Sequence, residues 1–186
     1  MKLKSDARRS RLRLAALILP VLLVPGAASG ASDEVRIQFT GRYVPLSCNV
    51  QSGYETLTVP LPTVSAQSLS SPGDVAGSTR FEIPVECEGT VGKVRASFLA
   101  GASVDPDGRL IPQDAGQTDA AQGVRVELLN ESGSVIRVGD PDSVTPVDAD
   151  GSGTPVNLVY YARYYGTGGA RPGVVNTYVN YVLDIP

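Results

Sequence analysis

The chain has no histidine and no tryptophan, one methionine and two cysteines among 186 residues. Without histidine, neither a Ser-His-Asp triad nor a His-ligated copper or zinc centre can be assembled. Two cysteines alone do not complete a typical structural zinc site. Long apolar runs are also missing. Leu14 to Val24, apolar apart from Pro20, falls short of the ~20 residues a membrane helix needs. No stretch after residue 31 has a helical period. What is plentiful is Gly (20) and Pro (14), set between short apolar stretches together with Ser, Asp and Asn. That is the composition of a turn-rich all-β domain.

The N-terminus reads as a processing signal. Lys2, Lys4, Arg8, Arg9, Arg11 and Arg13 are opposed only by Asp6, the apolar run follows, and then come Gly26, Ala27, Ala28, Ser29, Gly30 and Ala31. Basic, apolar, then small is the order of a secretory signal peptide, with cleavage expected between Ala28 and Ala31. An uncleaved anchor is the rival reading. Arg8-Arg9 could belong to a twin-arginine signal, although nothing beside them supports it. The expected division is a signal peptide over 1–30, an N-terminal extension over 31–47 and one domain over 48–186.

Export changes the charge balance. The first 30 residues hold six basic groups and one acidic group, which leaves 10 basic and 18 acidic residues, a net charge of −8. An acidic chain with dispersed arginines offers no footprint for phosphates, so nucleic acid is not an expected partner. Cys48 and Cys87 both survive cleavage, and in an oxidising compartment they are expected to form one disulfide. The alternative is a pair of buried free thiols.

The remaining chain reads as successive strands. Val35, Ile37 and Phe39 alternate with Arg36, Gln38 and Thr40, and the pattern runs on through Gly41 to Tyr43. Further alternating runs are Phe81 to Cys87, Lys93 to Phe98, Val124 to Leu128 and Leu158 to Tyr164. Period two with one polar face marks a half-buried antiparallel strand. In the Leu158 run, Val159 and Tyr161 fill the second face as well. Turn chemistry separates the runs at Ser71-Pro72-Gly73, Asp105 to Gly108, Asn130 to Gly133 and Asp148 to Gly153. Many short strands at this spacing predict an immunoglobulin-like β-sandwich.

The two ends carry the functional expectation. The last run places Thr177, Val179, Tyr181, Leu183 and Ile185 on one face, and only Pro186 follows. Such a strand has no later strand to cover its free edge, and long apolar edges pair with other chains. The Val35–Tyr43 run lies so close to Cys48 that it has little chain with which to turn back and complete its own sheet. One end offers a strand and the other lacks one. Head-to-tail strand addition follows, a heterologous contact that does not close and therefore propagates a fibre.

Four stretches resemble the type 1-like fimbrial subunits of the chaperone–usher pathway. They are Val35 to Gly41 with Cys48 soon after; Phe81-Glu82-Ile83-Pro84-Val85-Glu86-Cys87; Leu158 to Tyr165 followed by Gly169-Ala170-Arg171-Pro172-Gly173; and the alternating C-terminal run. The resemblance implies an incomplete immunoglobulin-like sandwich completed by a neighbour's donor strand. Val35, Ile37, Phe39 and Tyr43 are then the donor knobs, and Gly41 permits close backbone approach, unless it is an ordinary bulge glycine. Thr177, Val179, Tyr181, Leu183 and Ile185 line the acceptor groove and meet a periplasmic chaperone first. The implied partners are neighbouring subunits, that chaperone and an outer-membrane usher, at the surface of a Gram-negative cell. No cofactor or metal is implied. The chain departs from the family in ending Ile185-Pro186, where a tyrosine is common next to last; Pro186 has no N–H to donate.

Other readings are a secreted carbohydrate-binding sandwich and a tip-proximal, adhesin-like minor subunit. Tyr160, Tyr161, Tyr164 and Tyr165 could stack on sugars, but packing on both faces of a central strand explains them more simply. Asp148 to Gly153 bears a faint likeness to a calcium loop, yet it lacks the spacing and closing glutamate of an EF-hand and reads as a turn.

Overall fold

A computed structural model of the chain describes residues 38, 40, 41, 47–89, 92–113 and 117–186. The chain divides into two units, Met1–Gly41 and Arg42–Pro186. In the first, Gln38, Thr40 and Gly41 are described and exposed. The signal segment and Val35, Ile37, Phe39 and Tyr43 lie outside the described residues. All that follows concerns the second unit.

That unit is built from β1 (Ser47–Val50), β2 (Val75–Glu88), β3 (Lys93–Phe98), β4 (Gln122–Asn130), β5 (Val135–Ile136), β6 (Val147–Asp148), β7 (Val156–Arg171) and β8 (Tyr181–Asp184). Two single 3-10 turns, Ala66–Leu69 and Pro141–Ser143, are the helical elements among the described residues. The strands form two antiparallel sheets, ordered β1-β2-β7-β4-β5 and β6-β3-β8. Period two explains why they pack. Val94, Ala96 and Phe98 of β3 point inward at 0–3% exposure, while Lys93, Arg95 and Ser97 point out. They meet Ile83, Val85 and Cys87 of β2, Val126 and Leu128 of β4, and Leu158, Tyr160 and Ala162 of β7.

β7 is the central strand of its sheet, and its tyrosines divide between the faces as the alternation requires. Tyr160 is buried in the core. On the other face Tyr165 lies under the Arg109 guanidinium, 3.9 Å from its ring centre. Beside it Glu127, almost wholly buried, takes both Arg163 nitrogens on one carboxylate oxygen at 2.6 and 2.9 Å and Arg109 on the other at 3.3 Å. The turns form where turn residues cluster. Asp74 N–H donates to Ser71 O across Pro72-Gly73, with Gly73 at φ +93°, and Gly133 closes the β4–β5 hairpin on Asn130 O at φ +84°. Asp150 caps its own turn by accepting from both the N–H and the hydroxyl of Ser152.

Cys48 and Cys87 face each other in the β1–β2 register and are joined by a disulfide. β1 pairs only Val85–Glu88 of the much longer β2. Beyond Pro84, whose carbonyl takes the Gln51 N–H, the chain leaves this edge of β2.

Candidate functional site

The sequence places Thr177, Val179, Tyr181, Leu183 and Ile185 on one face of the last run, and the structure keeps that alternation: these five are half-buried, while Tyr178, Asn180 and Val182 are exposed. The regular strand is shorter than the sequence pattern, with only Tyr181–Asp184 assigned to β8. Upstream, the segment is tied to loops instead. Thr177 hydroxyl donates to Ile111 O, Asn176 O accepts from Gln113 N–H, and Tyr178 O accepts from the Ser103 hydroxyl.

β8 pairs with β3 on one side, and among the described residues nothing pairs with it on the other. Its free side can be assigned. Leu99 N–H donates to Asn180 O at 2.8 Å, and antiparallel bonding alternates, so the backbone groups of Val182 and Asp184 face β3. Those of Tyr181 and Leu183 face the open side. Exposure tells the same story. Ala96 and Phe98, opposite Leu183 and Tyr181 in the register, are 0% and 3% exposed, whereas Leu183 and Tyr181 pack on the same core yet remain half-exposed. A strand that shares a sheet face with a sealed neighbour stays half-exposed only if the layer stops beside it.

A second bare edge lies in residues 55–64. Among the described residues they make no backbone–backbone hydrogen bond. Leu57, Val59 and Leu61 alternate there, Leu61 packs on the core, and Leu57 stays 39% exposed. Pro60 and Pro62 bring no N–H and are residues that sheets confine to edges. An open cleft of about 500 Å³ separates Tyr54, Leu57, Val59 and Pro60 from Thr79–Glu82 of β2. An aromatic row runs beneath: Tyr181 to Phe98 (6.3 Å between ring centres), Phe98 to Tyr160 (5.3 Å) and Tyr160 to Phe81 (5.7 Å). Tyr160 is fixed because its hydroxyl accepts the Ala96 N–H at 3.1 Å. Burial raises the pKa of the Tyr181 phenol above its ordinary value, and the negative charge of Glu55 pushes it the same way. Leu61 of the 55–64 segment packs on the same core as Tyr181 and Leu183 of β8.

Leu57, Val59 and Phe81 join this site although the sequence reading did not place them in it. The signal was present in the alternation Leu57-Thr58-Val59-Pro60-Leu61, masked by its prolines. Chemically the seam offers apolar side chains flanked by backbone donors and acceptors that no described residue pairs, which is what an added strand requires.

A family model described as "Fimbrial protein" matches residues 37–185. The chain belongs to this family, whose members are structural rather than enzymatic subunits that polymerise into surface pili of Gram-negative bacteria. It is 34% identical over 173 residues to the F17 fimbrial protein of Escherichia coli, covering 89% of this chain and 95% of that one. It is equally, at 34%, identical to the major fimbrial subunit SMF-1 of Stenotrophomonas maltophilia, over 84% of this chain and 94% of the relative. Among solved structures, the P pilus rod subunit PapA has a TM-score of 0.55 at 15% identity, covering 75% of this chain and 99% of that one. A chaperone–usher pilus subunit gives 0.53 at 15% identity, over 83% and 97%. These share the incomplete immunoglobulin-like fold.

Proposed function

We propose that this chain is a pilus subunit that polymerises by strand exchange. Residues 1–30 direct export through the periplasm and are removed. Residues 31–47 carry the donor strand, and 48–186 form the accepting domain. Val35, Ile37, Phe39 and Tyr43 enter the seam of the next copy, with Gly41 where backbones approach most closely. Thr177, Val179, Tyr181, Leu183 and Ile185 receive them, opposite Leu57 and Val59. Each apolar donor side chain fully buried there contributes about 1.5–3 kcal/mol. A periplasmic chaperone lends its own strand to the seam until an outer-membrane usher directs exchange, and the finished fibre supports adhesion.

What supports the reading above all is the half-exposure of Tyr181 and Leu183 beside the sealed Ala96 and Phe98. A cleft-binding enzyme or lectin would need convergent polar groups. This seam presents a sheet edge.

The test uses residues 31–186 carrying Phe39→Asp, so that the chain accepts a strand but donates poorly, and a peptide spanning Glu34 to Tyr43. The peptide should bind and raise the melting temperature sharply, and the Phe39→Asp peptide should do neither. A chain that is already fully stable and ignores the wild-type peptide would refute strand exchange.

A further inference from the structure

β8 is short, pairs on one side only among the described residues, and still has to present its backbone groups in register to an incoming strand. One side chain grips it. Arg95 of β3 stands directly opposite Asp184 in the register, and its Nε donates to Asp184 Oδ2 at 2.7 Å. A second guanidinium nitrogen reaches Asp142 Oδ1 at 3.6 Å, in the Pro141–Ser143 turn, whose Asp142 N–H is held by the Asp140 carboxylate. The Arg95 side chain is 11% exposed, so this is not a freely solvated surface pair. Charge-assisted bonds of this length, partly shielded from water, are the stronger kind. Asp184 sits between Leu183 and Ile185, two of the groove-lining positions.

We infer that Arg95 is a positioning residue for strand capture: by gripping Asp184 it keeps the open edge of β8 in register while no strand lies beside it. The inference rests on the strand-exchange reading. It goes further in separating two states of the domain. In the empty state β8 depends on β3 and on this grip. In the filled state a strand on the other side holds it as well, and the grip is largely redundant. Loss of Arg95 therefore acts mainly on the fraction of empty domains that are ready to accept, and apparent capture falls by that fraction.

The experiment again uses residues 31–186 with Phe39→Asp, with and without Arg95→Met, and a fluorescently labelled Glu34–Tyr43 peptide. Arg95→Met should slow association roughly five- to tenfold. The dissociation rate should fall at least as much, because leaving the seam passes through the same ungripped edge, while the melting temperature of the filled form stays close to the parent's. Arg95→Lys should recover part of the association rate. The exchanged pair Arg95→Asp with Asp184→Arg should recover more than either single change, which guards against simple misfolding. Unchanged association in Arg95→Met overturns the inference. So does a loss that appears equally in the stability of the filled form. A parental chain that fails to bind the peptide counts instead against strand exchange itself.

Discussion

The seam predicts a difference between two leucines that look alike in the sequence. Leu158 of β7 is 0% exposed in the domain as described, whereas Leu183 of β8 is half-buried. Truncating a fully enclosed leucine to alanine costs about 2–5 kcal/mol, because the transfer energy is lost and a cavity remains. Leu158→Ala should cost that much whether or not a donor strand is present, and it should leave donor affinity unchanged. Leu183→Ala should cost the empty domain only about half as much, ~1–2 kcal/mol, since water already reaches that side chain. Once a donor strand seals the seam, Leu183 is enclosed and the full cost returns. The difference, about 1–2 kcal/mol, must appear as a loss of roughly 5- to 30-fold in peptide affinity. Urea unfolding of both variants in residues 31–186 with Phe39→Asp, with and without saturating Glu34–Tyr43 peptide, measures both quantities. The reasoning fails if Leu183→Ala destabilises the empty domain as much as Leu158→Ala and leaves peptide affinity untouched.

Three further outcomes are expected. Cys48 and Cys87 lie 39 residues apart and fasten the short β1 to β2, so replacing both by alanine should lower unfolding free energy in urea by about 4 kcal/mol. Glu127→Ala strips the partner from two arginines that can still reach water, so it should cost about 2–3 kcal/mol in the same assay, less than a wholly buried pair, and Glu127→Gln should cost less again. Burial raises the phenol pKa of Tyr160, Tyr164 and Tyr181. The folded state thus favours their neutral form, and the stability this lends is complete below the ordinary phenol value near 10 and lost as pH rises through the raised values. Tyrosinate absorbance should show these three phenols titrating late, with Tyr181 moving later still when the peptide binds; ordinary titration of all three, indifferent to peptide, would refute the burial assignments.

The periodic parts of this fold were legible in the sequence because each carries its own record of which face is wet. β3 falls on Lys93–Phe98 as the alternation predicts, and the filled second face of Leu158 to Tyr164 marks the strand at the centre of its sheet. β1, β5 and β6 escaped because two to four residues cannot display a period. The extension of β7 to Arg171 escaped because Gly166, Gly168 and Gly169 carry no side chain to alternate; that stretch is shaped by backbone approach, with a Cβ on Gly123 running into Gly168 O. The site divides along the same line. Alternation identifies Tyr181 and Leu183 as inward-facing, since that follows from neighbours in the chain. It cannot say that water still touches them, because that depends on whether residues far away in sequence bring up another strand. Two strands in one ladder, Ala96 sealed and Leu183 open, have the same local pattern and differ only in what lies beyond them. A missing strand is therefore a property of sheet order: the two alternating ends point to it in the sequence, and the fold shows which side of β8 no described residue pairs. The prolines at 60 and 62 are the local trace of that order: they remove two donors from an edge that no described residue pairs.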